Sequence, residues 1–221
     1  MGVIILFVAM LAAFIVWWLS TQRLTAKPWL EEGPIGEFPG TGALFLPAAK
    51  IGLAVFAAVV GALFALMLTA YVMRMQLADW TPLPKLNLLW VNTGVLILSS
   101  VGLQWARDAS VQGDMDGVKV GLLAGGVAAI AFIAGQILAW RQLVSAGYFV
   151  ATSPASSFFY LITAIHVLHL LGGLAALGRT VRMTRRHVAA DEVRLSVDLC
   201  TIYWHLLLSV WLLCFGFLLF T

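Results

Sequence analysis

Six stretches of this chain, residues 3–19, 51–73, 86–106, 120–140, 158–177 and 199–220, contain no charged side chain. Each is close to the roughly 20 residues that a helix needs to cross a hydrocarbon core about 30 Å thick. Inside lipid every backbone N–H and C=O must be paired within the protein, so only helices or closed barrels can span it. Runs this long without polar–apolar alternation point to helices. The expected fold class is therefore all-α, a polytopic membrane helix bundle with six transmembrane helices. Composition agrees: 10% of residues are charged and mean hydropathy is +0.99, where soluble domains carry about 25% charge.

One membrane domain over 1–221 is expected, with 1–20 as a separate first helix, 21–50 as a cytoplasmic linker and 51–221 as a five-helix bundle. Pro28, Pro34, Pro39 and Pro47 break any long helix in the linker. The first run lacks a preceding basic segment and is followed by Arg23 and Lys27 instead of a small-residue cleavage site, so it reads as a helix and not as a removed signal. Cys200 and Cys214 lie in one apolar run, about 21 Å apart along a helix, too far to bridge each other.

The net charge of +3 reports orientation before it reports a partner. With six crossings, the connections after the first, third and fifth runs share a side. They carry Arg23, Lys27, Lys50, Arg107, Lys119, Arg179, Arg182, Arg185, Arg186 and Arg194, against Arg74, Lys85 and Arg141 opposite. The positive-inside rule then puts both termini on the periplasmic side and "RTVRMTRRH", residues 179–187, in the cytoplasm. That basic run reads first as a retention signal and second as a site for anionic lipid or a partner. Trp17, Trp18, Trp80, Trp90, Trp105, Trp140 and Tyr148 fall near the ends of the runs, as aromatic anchors at headgroup level do.

No Lys, Arg or Glu lies within the runs, and Asp198 sits just before the last one. Transporters and proton relays keep ionisable groups at membrane depth, so a chain without them is not expected to pump alone. The polar residues at depth are Asn92, Ser99, Ser100, Gln104, Gln136, Thr163, His166, His169, Tyr203 and His205. His166 and His169, three apart, share a helix face. Counting about 1.5 Å per residue brings His169 and His205 to similar depth, where they could face each other. Two readings stay open for these imidazoles. One is a bis-imidazole haem or metal site between helices. The other is interhelical hydrogen bonding or contact with lipid headgroups and water, with His166 bonding Thr163 or a backbone carbonyl. No carboxylate stands near to orient a ligand imidazole, which favours the second. Gly121, Gly125, Gly126 and Gly135 in the fourth run, and Gly172, Gly173 and Gly178 around the fifth, are expected to let helices approach closely. No phosphate-binding glycine motif, CxxC pair or catalytic triad pattern is present, so a soluble-enzyme mechanism has no residues to rest on.

The segments "FFYLITAIHVLH" (158–169) and "YWHLLLSVW" (203–211) together resemble subunit III of the haem-copper oxidases. The family's last helix typically reads tyrosine, tryptophan, histidine, with a later aspartate and tryptophan; Tyr203, Trp204, His205 and Trp211 match. Thr163, His166 and His169 match the threonine and histidines of the helix before it. "KIGLAVF" (50–56) resembles the start of the family's third helix, "LWVNTGVLILSSVGLQWA" (89–106) its fourth, and Gln136 to Trp140 the end of its fifth. The resemblance covers about residues 45–221 and is similar to a form lacking the first of seven helices. The sequence departs from the pattern at Val60, where a helix glutamate is common, at Leu208 in place of the aspartate, at Ala164 and Val167 in place of glycines, and at Asp198, where a glutamate is usual.

The resemblance implies a non-catalytic accessory subunit of a proton-pumping oxidoreductase complex in a bacterial inner membrane, a cytochrome c oxidase reducing oxygen to water. It also implies haems and copper on partner subunits and none on this chain, with bound phospholipid, subunit I as main partner, then subunit II and small subunits, and no nucleic acid. His166, His169, Tyr203, Trp204 and His205 are then lipid or packing residues, with Asp198 and Arg179 at the cytoplasmic rim and no catalytic or metal-binding residue. A quinol oxidase subunit III, a nitric-oxide-reductase accessory subunit and a di-haem cytochrome b are the alternatives.

Overall fold

The computed structural model describes residues 48–84, 86–186 and 189–219. The run 3–19, with Trp17 and Trp18, and nearly all of the linker lie outside them. The described residues form five helices: α1 (Ala48–Arg74), α2 (Leu88–Gln112), α3 (Met115–Ser145), α4 (Pro154–Arg185) and α5 (Ala190–Leu219). All five are long and apolar enough to cross a membrane, and no strand occurs among the described residues. Every helix is longer than its uncharged stretch, since helical hydrogen bonding continues where charged residues reach the headgroup region. The linker accordingly gives up its last residues, 48–50, to α1.

Local chemistry sets the ends. Gly113 adopts φ 77° and closes α2 in the left-handed conformation, which only glycine takes without Cβ strain. Asp114 then caps α3, its carboxylate accepting from the N–H groups of Asp116 and Gly117 at 3.2 and 3.0 Å. Two residues thus turn the chain into an antiparallel helix pair. Pro154 opens α4 behind a reciprocal cap, with Ser153 and Ser156 each bonding the other's backbone N–H. Asp191 and Glu192 fill the first turn of α5, where the helix dipole favours negative charge. Past the end of α1, the guanidinium of Arg74 grips Asp79 through both oxygens and holds its carboxyl below the usual carboxylate range, the hydrogen bonds being the main cause.

Helices α2, α3, α4 and α5 close a ring in which each packs on two neighbours, and the α2–α3 seam is the tightest. Glycine makes it so. A Cβ at Gly121 would stand 2.7 Å from the Ala106 backbone nitrogen, and one at Gly125 would stand 2.9 Å from Leu103 Cγ. The ring's core includes Leu96, Leu103, Phe132, Leu170, Trp204 and Trp211, all fully buried. Gly172 and Gly178, expected to bring backbones together, have nothing within 4 Å of a notional Cβ; in this part of α4 only Gly173 packs tightly.

Helix α1 stands off this ring. It buries the narrow stripe Val60, Phe64, Leu68 and Tyr71 while Val55, Val59, Leu66 and Met73 stay exposed. It touches its neighbours mainly through long side chains: Phe56 on Tyr203, Phe64 on His166 and His169, and Tyr71 on Phe158.

Candidate functional site

Where α1 diverges from α4 and α5, a cavity of about 590 Å³ opens. Leu53 and Phe56 of α1 form one wall, Gly172, Gly173 and Ala176 of α4 another, and Leu199, Tyr203 and Trp204 of α5 the third. Small residues on α4 create the space, and the aromatic pair on α5 floors it. Gly173 is fixed by that floor, since a Cβ there would meet Trp204 at 2.8 Å and Tyr203 at 2.9 Å. Polar groups gather at the other end of the lining: Arg179, Thr180, Glu192 and Ser196. Thr180 bonds the Ser196 hydroxyl at 2.7 Å, the Ala176 carbonyl at 3.1 Å and the Cys200 sulfur at 3.4 Å. Arg179 is exposed and makes no ion pair among the described residues. The slot is thus apolar along Leu53, Phe56, Gly172 and Gly173 and polar at its other end, where Arg179 and the Glu192 carboxylate both line it.

The sequence-derived site residues divide into three groups. Arg179, Tyr203 and Trp204 line the cavity. His169 borders it through Phe56, with ring centroids 6.4 Å apart, and its backbone carbonyl accepts the Tyr203 hydroxyl at 3.0 Å. Asp198, His166 and His205 are not among its lining residues. Asp198 ties helices together instead: its carboxylate meets Lys50 of α1 at 2.7 Å and Arg107 of α2 at 2.8 Å with a side chain only 14% exposed. The Arg107 contact is charge pairing without hydrogen-bond alignment, because that oxygen has no hydrogen-bond partner.

The imidazoles do not meet. His169 and His205, expected to face each other, share no hydrogen bond or ring contact. Each turns its Nδ1 back to a carbonyl of its own helix, Ile165 at 2.8 Å and Thr201 at 2.7 Å, which makes Nδ1 the donor. His205 is exposed. His166 does not bond Thr163, whose hydroxyl donates to the Phe159 carbonyl at 2.7 Å and accepts from Trp140 Nε1 at 3.0 Å. It lies among Phe64, Phe132 and Trp211 instead. No group of three or more His, Cys, Asp or Glu able to hold a metal occurs among the described residues.

Sequence reading missed the partners more than the residues. Trp204 Nε1 donates to Ser99 at 2.8 Å, and Ser99 donates to the Gly125 carbonyl at 2.7 Å, so one serine joins α5, α2 and α3. Trp211 Nε1 bonds Thr93 at 3.0 Å. A buried indole N–H requires a partner, which foretells such a bond but not the helix that supplies it. Of the tryptophans expected at headgroup level, Trp90 and Trp105 are exposed, whereas Trp80 packs edge-on against Tyr71 and Trp140 is bound to Thr163.

The fold defines a class: a multi-pass helical membrane protein, its described helices joined by glycine seams and buried polar bonds, with an amphiphilic cleft beside α4 and α5. Residues 48–220 match the family described as cytochrome c oxidase subunit III, and the chain belongs to it. Relatives include a probable cytochrome c oxidase subunit 3 of Mycobacterium tuberculosis, 33% identical over 62% of this chain and 69% of that one. Another from Nocardia farcinica is 30% identical over 61% and 68%, and a cytochrome c oxidase subunit 3 of Synechocystis is 28% identical over 74% and 72%. Family membership makes the chain an accessory subunit of a haem-copper oxidase, acting within an oxidase complex.

Proposed function

We propose that the chain braces the catalytic subunit of a proton-pumping cytochrome c oxidase in a bacterial inner membrane, holds phospholipid beside it, and supports oxygen and proton access to it. Subunit I is the main partner, subunit II and small subunits are further ones, and haems and copper reside on those partners. The run 3–19 supplies a sixth helix and both termini are periplasmic. The single membrane domain is then a first helix, a cytoplasmic linker and the five-helix bundle. The observation that carries this reading is the cleft: α1 stands off the ring, leaving a slot with Arg179, Thr180, Glu192 and Ser196 at its polar end and Gly173, Tyr203 and Trp204 at its apolar end. A phosphate on Arg179 and acyl chains along Gly172 and Phe56 fit that division. Val60 is 2% exposed and carries no charge, so no proton relay is assigned to α1.

Purification through a tag on this chain in mild detergent, with identification of accompanying chains and lipids and an optical spectrum, tests it. Large oxidase subunits should accompany the chain, with haem bands that disappear when it is stripped to purity. Arg179→Ala should lower retained phospholipid without altering the haem spectrum. Haem that stays with the isolated chain would overturn the reading, and phospholipid retention unchanged by the substitution would remove Arg179 from the lipid site.

A further inference from the structure

Gln136 and His166 are both fully buried, and both polar atoms of each side chain lack a hydrogen-bond partner among the described residues. Neither lines the cleft. Their positions bring them to one seam. Helices α3 and α4 pack against each other, with Phe132 edge-on to His166 at 5.8 Å and Trp140 Nε1 on Thr163. Gln136 lies four residues after Phe132 and four before Trp140, hence on the same face of α3. His166 follows Thr163 by three, hence on the same face of α4. In an antiparallel pair Gln136 falls between those two contacts, and helix side chains lean toward the N-terminus, which brings Trp140 back over it.

From this geometry we infer an internal water site between α3 and α4, bound by the Gln136 amide and the His166 imidazole. The ligand must be neutral, because the uncharged runs that form this seam offer nothing to balance an ion. It must also be small, because Phe64, Phe132 and Trp211 stand with ring centroids 6.2, 5.8 and 5.1 Å from that of His166. And it must both donate and accept. The amide has two N–H donors and an acceptor oxygen, and a neutral imidazole has one donor and one acceptor. Water complements that set, and buried waters typically make about three bonds to otherwise unpaired groups. The pair is thereby joined across the seam, setting the register of α3 on α4 without a direct side-chain bond.

Hydroxyl-radical labelling by X-ray radiolysis in isotope-labelled water, on the complex purified through this chain, tests the site, because resident water labels the side chains it touches. Normalised to the intrinsic hydroxyl-radical reactivity of each residue type, His166, Phe132 and Trp211 should take up label well above the equally buried Leu103 and Leu122, and Gln136→Leu should abolish the excess. If Gln136→Leu fails to assemble, His166→Phe serves, read at Phe132 and Trp211. Labelling no higher than at the two leucines, or labelling that persists in the variant, would overturn the inference.

Discussion

Three histidines in similar apolar surroundings end in three situations. His205 is exposed with its Nδ1 on its own helix, His169 is half-buried with the same local bond and packs on Phe56 and Phe64, and His166 is sealed among aromatic rings. A side chain that satisfies itself within one turn is indifferent to the neighbouring helix, whereas one without such a bond depends on it. Ser99 is the opposite case, since its hydroxyl serves two other helices. Ser99→Ala leaves the Trp204 N–H and the Gly125 carbonyl without it, and a loss of about 1–2 kcal/mol is expected. Trp204→Phe added to Ser99→Ala should cost clearly less than the sum of the two single changes. Thermal unfolding of the purified complex checks this; strict additivity would mean that the bond carries no stability. The polar residues at depth were legible in the sequence. The bonds that cross between helices, such as Trp204 to Ser99 and Tyr203 to the His169 carbonyl, were not, because the partner lies on another helix distant along the chain.

The five described elements were legible because each satisfies its own backbone; their ends were not read from the uncharged runs, because the helices continue through charged residues to local caps at Gly113 and Asp114, or at Ser153 and Pro154. Which helix stands apart was not. A lipid-facing apolar stripe and a core-facing one have the same composition, so hydrophobic periodicity says little about the inward face. The contacts of α1 show how it is held: aromatic side chains along its length and the Lys50–Asp198 pair near its start. Asp198→Ala removes that tie and leaves Lys50 and Arg107 without their shared carboxylate, which should loosen the mouth of the cleft. Cys200 lines the cleft and Cys214, fully buried on the same helix, does not. Maleimide labelling of Cys200 should speed up about fivefold, as expected for a contact worth about 1 kcal/mol, with Cys214 unchanged. Equal rates in the two proteins would show that the ion pair does not hold α1.

At the scale of the whole molecule, charge divides the chain by its ends. In the proposed topology the turn at Gly113 and Asp114 faces the cytoplasm with Arg107, Lys119 and Arg179, while the carboxyl end is periplasmic. An alkaline phosphatase reporter fused after Thr221 should be active and one inserted at the 113–114 turn inactive; the reverse pattern would invert the topology. The sequence by itself determined the membrane class, the helical content of the described residues and the charge asymmetry between connections. Each follows from a local or additive requirement: backbone pairing in lipid, the length of an uncharged run, and the cost of moving a cation across the membrane. Only the tertiary structure decided that α2 to α5 close a ring with α1 outside it, that Arg179, Tyr203 and Trp204 share a cleft which His166 and His205 do not line, and that Asp198 joins three helices. Those outcomes depend on which small residues meet across a seam, as Gly121 meets Ala106 and Gly173 meets Trp204. Such a meeting is a property of two helices at once, and no single stretch of sequence contains it.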